Sequence, residues 1–362
     1  MRIGLAGWIL GFGPSGVGRR LEALAEAGVL GGAEILLFTP PGGPPFPSLP
    51  GVETIPVPIP HTPTWKRSFL EARLLPSLVR RHGLDLLHLP TAPVPSLPIP
   101  ATTSIHGLQD FTPWARPGRR LPAPLLWRWG LRKARLLLAV SASVLSELRE
   151  RLPGLEKKTR VVPTGIPERF FREEPQGPPP FGLAPGYLLH LGRPLPHKNL
   201  DLLLSAYRIL LSRRPGVPPL VLAGVSPRGE GKLLEEKISG MGLEKKALWI
   251  GPVQGDTLLR LLRGAGLAIF PSLYEGQGLA PLEALAAGTP VIASDIPAHR
   301  EFLGETVPLF DPRDPEALAE LARESLGDRS GADRGRERAR SMDTRAMAGP
   351  LLDAWREAAG GG

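Results

Sequence analysis

The chain has 362 residues, 42% of them hydrophobic and 62 of them leucine; this is material for two packed domains, and it argues against disorder even though glycine (43) and proline (44) are abundant. There is no cysteine, which excludes a disulfide framework, a thiolate zinc site and a cysteine nucleophile, and fits a reducing compartment. The formal charge is +9, and all of the excess lies early: residues 1–172 carry 22 basic and 11 acidic side chains, the remainder 22 and 24.

Taken in chain order, the first half alternates short apolar runs with helical periodicity. RIGLAGWIL, EILLF, VETIPV, DLLHL, TTSIH, LLLAV and RVVP read as strands, with amphipathic stretches at 18–27, 65–82, 125–134 and 142–152. A proline-rich segment, 167–185, then interrupts the pattern and reads as a linker. Alternation resumes with YLLHLG, PLVLAG, ALWIG, LAIFPS, PVIAS and VPLF as strands and helical segments at 199–213, 231–240, 255–264, 278–287 and 315–326. A charged stretch, 327–340, precedes a last helix at 344–358. The expected architecture is two doubly wound α/β domains, 1–172 and 173–340, followed by a terminal segment 341–362. Ligands of such sheets bind beyond the carboxyl ends of the strands, so a cleft between the two sheets is the expected site.

No apolar run reaches the ~18 residues needed to span a bilayer. The apolar start Ile3–Gly13 is followed by Arg19, Arg20 and Glu22, against a secretory signal. The expected location is cytoplasmic, with any membrane contact peripheral and on the inner face. The chain holds four Gln, one Asn, 35 Arg and 9 Lys; heat adaptation and a GC-rich genome both produce this bias.

Three segments following strands carry the residue types that chemistry needs. The glycines of Gly11-Phe12-Gly13-Pro14-Ser15-Gly16-Val17-Gly18 let backbone amides approach an anion at a helix start, although a plain strand-to-helix turn uses glycine in the same way. In Gly192-Arg193-Pro194-Leu195-Pro196-His197-Lys198-Asn199, two cations stand where a helix begins. That suits a diphosphate held without a metal ion, with Asn199 as helix cap; a capped helix with two solvated cations is the plainer reading. The third segment, YEGQGLAPLEALAAGTP, sets Glu275 in a glycine loop and Glu283 in the following helix, within an otherwise apolar stretch.

These motifs together resemble a retaining glycosyltransferase of family 4 (glycosyl transferases group 1), of the GT-B architecture, in which two Rossmann-like domains face each other across a cleft. The resemblance runs through GVGRR, SIHGL, AVSASV, VVPTGIPERF, LGRPLPHKNL and EGQGLAPLEALAAGTPVIAS in that order. It implies that the terminal segment 341–362 crosses back to the first domain, and that Arg193 and Lys198 hold the diphosphate of a nucleotide-sugar donor and neutralise the departing charge. Glu275 with Gly276, Gln277, Gly278 and Leu279 would bind the donor sugar. Glu283 would take the ribose hydroxyls, and the backbone near Val253 would meet the base. His106 would contact the transferring sugar, and Gly16, Val17 and Gly18 would border the diphosphate and the acceptor. No metal and no cofactor beyond the donor substrate is implied. The acceptor would be a glycan, a lipid-linked sugar or a small molecule, and the acceptor's attack would come on the face the diphosphate leaves.

The chain departs from the family at His106-Gly107, where members often have His-Asp, at Gln277, where they have Phe, and at Ala280, where they have Pro. Gln277 either reads a sugar hydroxyl or faces solvent. A nucleotide-sugar epimerase of similar fold and a catalytically silent sugar-nucleotide-binding subunit are the competing readings; the Glu-x7-Glu segment argues against the first, and Lys198 with Glu275 against the second. Between Asp110 and Glu147 there is no acidic residue but Arg116, Arg119, Arg120, Arg128, Arg132, Lys133 and Arg135, interleaved with Trp114, Trp127 and Trp129; Trp65-Lys66-Arg67 is a similar cluster. Such a patch suits an anionic membrane surface, or is a solvated face. No nucleic-acid-recognition module accompanies it.

Overall fold

The structure, a computed structural model, describes residues 1–8, 15–40, 49–59, 64–115, 122–172 and 177–360. It divides into two compact units, residues 1–167 with 342–362 and residues 168–341.

In the first unit β1 (Arg2–Ala6), β2 (Glu34–Thr39), β3 (Val52–Pro56), β4 (Leu86–Leu89), β5 (Ala101–Ile105), β6 (Leu136–Ala139) and β7 (Thr159–Val161) form one sheet in the order 3-2-1-4-5-6-7. Every pairing is parallel, so the chain must cross over between neighbours. α1 (Gly16–Leu30), α2 (Thr64–Arg81), α3 (Ala123–Leu131) and α4 (Ala142–Arg151) lie on such crossovers. β4, β5 and β6 are buried at every position, which is why they read as continuous apolar or uncharged runs rather than alternating ones.

The second unit repeats the scheme. β8 (Tyr187–Leu191), β9 (Leu220–Ala223), β10 (Ala247–Trp249), β11 (Ala265–Phe270), β12 (Val291–Ser294) and β13 (Leu309–Phe310) form a parallel sheet in the order 10-9-8-11-12-13. Its helices are α5 (Leu200–Arg213), α6 (Glu230–Gly240), α7 (Gly255–Gly264), α8 (Leu279–Ala286), α9 (Pro297–Leu303), α10 (Pro315–Ser325) and α11 (Ala332–Arg340). One core packs Leu204, Tyr207, Leu220, Leu267 and Ile269 together.

The last helix, α12 (Thr344–Gly360), belongs to the first unit. Trp355 and Leu351 join Ile3, Leu21 and Ile35 in the core on one face of that sheet, while Phe38, Leu75, Leu87 and Leu148 form the core on the other. α12 sits close against α1 because Gly31 has no side chain: a Cβ there would stand 2.1 Å from Leu352 Cδ1. The chain re-enters the first unit at a parallel bridge between Ile166 and Asp343.

The structure differs from the sequence reading in four places. The unit boundary falls at residues 167/168 rather than 172/173, because the Arg340 guanidinium stacks 3.7 Å over the Phe171 ring and Arg340 Nη1 donates to Glu168 Oε2 at 2.6 Å, fastening 168–172 to the second unit. The charged stretch 327–340 holds a helix, α11, and α9 is a further helix that periodicity did not show. The expected linker contains two short 3-10 turns, Glu168–Phe170 and Pro180–Gly182.

In each sheet the strand order reverses direction once, between β1 and β4 and between β8 and β11. Beyond the carboxyl ends of strands at such a point the loops diverge and leave a crevice. In the second unit those loops carry Arg193 and Lys198 on one side and Glu275 on the other.

Candidate active site

β8 ends at Leu191 and runs into Gly192 and Arg193, then through a 3-10 turn, Pro196–Lys198, to α5. β11 ends at Phe270 and leads through Pro271, Ser272 and Glu275 to α8. A backbone bond joins the two loops, the Leu273 amide donating to the His197 carbonyl at 2.7 Å. Lys198 Nζ reaches Glu275 Oε1 at 2.5 Å across the same gap, and the Ser272 hydroxyl donates to that oxygen at 2.7 Å. Arg193 turns the other way and pairs with Glu230, at the start of α6, its Nε donating at 3.1 Å.

The close approach behind these loops depends on Gly224, just after β9: a Cβ there would lie 2.1 Å from the Gly192 carbonyl oxygen. Its own amide donates to the Gly251 carbonyl at 2.9 Å, tying in the loop after β10. Val253 lies in that loop, buried, at the far edge of the sheet from β11.

Asn199 does not cap α5 with its side chain. Its backbone takes the left-handed conformation, φ 56°, which Asn tolerates better than most residues. Its Nδ2 donates to the Pro271 carbonyl at 3.1 Å and the Pro312 carbonyl at 2.8 Å. The residue therefore fixes the start of α5 against the loops after β11 and β13.

The electrostatics keep both carboxylates ionised. Burial pushes Glu275 upward, but the Lys198 charge, the neighbouring His299 and the hydrogen bonds from Lys198 and Ser272 outweigh it and hold the group at about 2. For Glu230, burial acts upward as well, and bonds from Arg193 and from the Glu230 and Arg228 amides bring it to about 2. The histidines nearby are neutral at pH 7. Burial is the main cause of the low value, about 4, of both His190 and His197. His190 Nδ1 donates to the Ile269 carbonyl at 2.9 Å, and its Nε2 is buried without a partner beside Gly192. His299 Nδ1 donates to the Ser294 carbonyl at 2.8 Å, and its Nε2 is likewise unpartnered, against Gly278.

Gly278 has φ 82° and precedes α8, whose first residue is Leu279; helix starts leave backbone N–H groups available. Gly276 lies in the loop just before them, and Gln277 is buried, 4% exposed, not solvent-facing. Glu283 is buried in the second turn of α8. The second unit thus brings together Arg193, Lys198, Glu275 and the 276–279 loop, and adds Glu230, Ser272, His190, His197 and His299. His190, His197 and Ser272 lie within segments the sequence marks but carry no motif signal of their own, and Glu230 and His299 are missed because only the fold sets residue 230 beside 193, or 299 beside 278.

The remaining expected residues lie in the first unit. His106 directly follows β5 and its Nε2 donates to the Pro90 carbonyl, beyond β4, at 2.9 Å. Burial, with the Arg20 charge, lowers the ring to about 4 against that bond, so His106 is neutral with Nδ1 as an acceptor. Arg20 is 1% exposed. It donates to Ser104 Oγ at 2.7 Å, the Val162 carbonyl at 2.8 Å and Thr164 Oγ1 at 3.1 Å. Gly16, Val17 and Gly18 open α1: Ser15 Oγ accepts from the Gly18 amide at 3.1 Å, and a Cβ on Gly16 would meet no atom within 4 Å. Gly11 to Pro14 lie outside the described residues.

The expected basic patch divides. Arg67 is buried and paired with Glu71, and Trp127 donates to Asp110 Oδ2 at 3.1 Å, so neither presents a free face. Arg128, Trp129, Arg132, Lys133 and Arg135 are exposed and Trp114 is half-buried. Arg116, Arg119, Arg120 and the side chains of Trp65 and Lys66 lie outside the described residues. Among the described residues no three His, Asp or Glu side chains are grouped as metal ligands, and no helix is long and apolar enough to cross a membrane.

Two doubly wound domains in one chain are the fold of the GT-B type, and the comparisons with known proteins agree. The first half of the chain, residues 14–170, belongs to glycosyltransferase family 4 and the second, residues 172–342, to the glycosyl transferases group 1. The chain is 34% identical over 146 residues to the O-antigen chain mannosyltransferase B of Escherichia coli, a match over 40% of this chain and 38% of that one. The chain therefore spans well under half the length of this curated relative. Sucrose-phosphate synthase from Thermosynechococcus elongatus shares the fold with a TM-score of 0.79 over 100% of both chains, at 20% identity. Anabaena HepE, solved in complex with UDP-glucose, does so with a TM-score of 0.72 over 99% of this chain and 100% of that one, at 17% identity.

Proposed function

We propose that the protein moves a hexosyl unit from a nucleoside-diphosphate sugar to an acceptor hydroxyl with retention at the anomeric carbon. The observation that carries this reading is the pair of cations after β8, Arg193 and Lys198, each held by a carboxylate at the switch point of the second sheet. A donor diphosphate arriving there takes the place of Glu230 and Glu275 as counter-charge. Phosphate is already a good leaving group, so fixed positive charge and positioning can carry most of the rate without a metal. HepE, a structural neighbour, is solved with UDP-glucose, and a sugar nucleotide of that kind is the donor class proposed here.

In this scheme Glu275 and the amides at the start of α8 hold the sugar, Glu283 the ribose, and Val253 lies beside the base. His106, neutral and with Nδ1 accepting, takes a hydrogen bond from a sugar hydroxyl. The acceptor's proton passes to the departing diphosphate oxygen, so neither Glu serves as nucleophile. The acceptor is a glycan, a lipid-linked sugar or a small hydroxyl compound.

A thermal-shift series against UDP, GDP, ADP and their hexose conjugates tests the reading, since a ligand that binds only the folded state raises the melting temperature. One nucleotide family is expected to stabilise the wild type, and Lys198→Ala and Arg193→Ala to lose about tenfold or more in its affinity. NMR of the product formed from the stabilising donor should show the donor's anomeric configuration. No response to any nucleotide, or an unchanged response in Lys198→Ala, refutes the assignment.

A further inference from the structure

One face of the first unit is unlike the rest of the surface. On α3, Leu125, Leu126 and Trp129 are 74%, 49% and 56% exposed. Their spacing puts them on one side of the helix, and the same side continues past its end to Arg132 and Lys133. The Arg132 guanidinium lies 5.9 Å from the Trp129 ring centroid. The opposite side of α3 is accounted for: Ala123, Gly130 and Leu131 are buried, and Trp127 is bound to Asp110.

Beyond the end of α3 an open cavity of about 700 Å³ lies at the amino edge of β5 and β6. Among the described residues, Arg132, Lys133, Arg135 and Lys158 line it and no carboxylate does. Lys158 Nζ donates to the Leu131 and Ala134 carbonyls, both at 2.9 Å, which anchors one ammonium in the wall. Because α3 crosses back from β5 to β6, it runs against the strand direction. Its exposed leucines therefore lie toward the carboxyl edge, where His106 stands, and its cations toward the amino edge.

Exposed Leu and Trp beside an uninterrupted set of cations is the composition of a helix that lies in a membrane interface. A merely solvated face would not need the leucines, and a protein-binding face would not need a cavity with four cations and no acid. We propose that α3 docks the protein onto an anionic phospholipid surface, with Leu125, Leu126 and Trp129 inserted at the acyl boundary and a lipid phosphate seated among Arg132, Lys133, Arg135 and Lys158. The inference stands apart from the transferase reading, because none of these side chains belongs to the donor site.

The test is co-sedimentation of the full chain with vesicles of phosphatidylcholine alone or mixed with phosphatidylglycerol. Binding to the mixed vesicles only is expected. Arg132→Gln/Lys133→Gln should weaken it by about 25-fold, roughly fivefold for each cation removed at an anionic surface. Leu125→Ser/Leu126→Ser/Trp129→Ser should weaken it by at least about tenfold. Both variants change exposed positions, so thermal unfolding and the nucleotide thermal shift without vesicles should match the wild type. Equal recovery with both vesicle types overturns the proposal. So does displacement by millimolar inorganic phosphate, which would mark a soluble-anion site, or binding of duplex RNA that the same variants abolish while vesicles are ignored.

Discussion

Removing the Lys198 ammonium while leaving Glu275 in place measures what the pair contributes to the free protein. Glu275 is held at about 2 instead of its ordinary 4.5, and at about 1.36 kcal/mol per pH unit this corresponds to roughly 3 kcal/mol at neutral pH. The sign is that of a depressed carboxyl: the stabilisation is complete above 4.5 and is lost as the pH falls toward 2. The two side chains are 18% and 14% exposed, so solvent screens the pair only partly. Lys198→Met leaves a carboxylate facing Ser272 alone in a site whose burial disfavours charge. Calorimetry of the full chain at pH 7 should show the transition of the second unit fall by about 6–12 °C, at 2–4 °C per kcal/mol for a domain of this size. Lys198→Met/Glu275→Gln should recover at least half of that loss, because the cost lies in the orphaned charge rather than in the missing methylenes. A single variant within about 1 °C of the wild type, or a double variant no more stable than the single, would refute the reasoning.

Three further outcomes are expected. Asn199→Ala gives up two side-chain hydrogen bonds and a tolerated left-handed conformation and should cost about 2–4 kcal/mol in urea unfolding, whereas Asn199→Gly, which keeps the backbone relaxed, should cost about 1 kcal/mol less; the reverse order would count against the brace between Pro271 and Pro312. Gly224→Ala sets a Cβ 2.1 Å from a backbone oxygen that cannot rotate away, so a loss of about 3 kcal/mol together with a weakened nucleotide thermal shift is expected. His190 and His197, both held near 4 chiefly by burial, bind protons more weakly folded than unfolded. Their stabilisation is full above 6.5 and lost as the pH falls through 4, about 2 kcal/mol each by pH 5; a urea midpoint unchanged from pH 7 to 4 would contradict this.

The fold was legible in the sequence because a parallel sheet writes itself plainly. Strands covered on both faces, such as LLLA of β6 and LVLA of β9, cannot alternate and stand out as short apolar runs; β3 (VETIP) and β5 (ATTSI), although less apolar, were also marked. α11 was not legible for the opposite reason. It buries only Gly335 and Ala339, and a Cβ on Gly335 would come within 2.6 Å of Leu285, so its contact with α8 needs small residues and leaves no apolar stripe. Its arginines are used inside the unit: Arg336 donates to the Phe171 carbonyl and Arg338 to those of Glu301 and Phe302. To periodicity such a helix looks like a charged loop. The candidate site was half visible in the same way. Arg193, Lys198 and Glu275 announce themselves by type and setting, while Glu230 resembles any acidic residue at a helix start. Only the fold brings it from thirty-seven residues away onto Arg193.

That pairing bears on how the proposed donor site is kept ready. Two cations converging on an empty crevice would repel each other and draw in whatever anion was at hand. Here each has a carboxylate of its own, supplied by a different element, so the charge is neutralised before any ligand arrives. A diphosphate brings two charged groups to two charged groups, and it must outcompete Glu230 and Glu275 at once. A single phosphate can replace only one of them and leaves the other pair intact. On the proposed function, selectivity for diphosphate over monophosphate is expected from exchange of partners rather than from the cations themselves. Neutralising Glu230 alone, as Glu230→Gln, should narrow the difference between UDP and UMP in the thermal-shift series by raising the affinity for the monophosphate. A UMP response unchanged by that substitution would show that Arg193 is available to ligands without displacing Glu230.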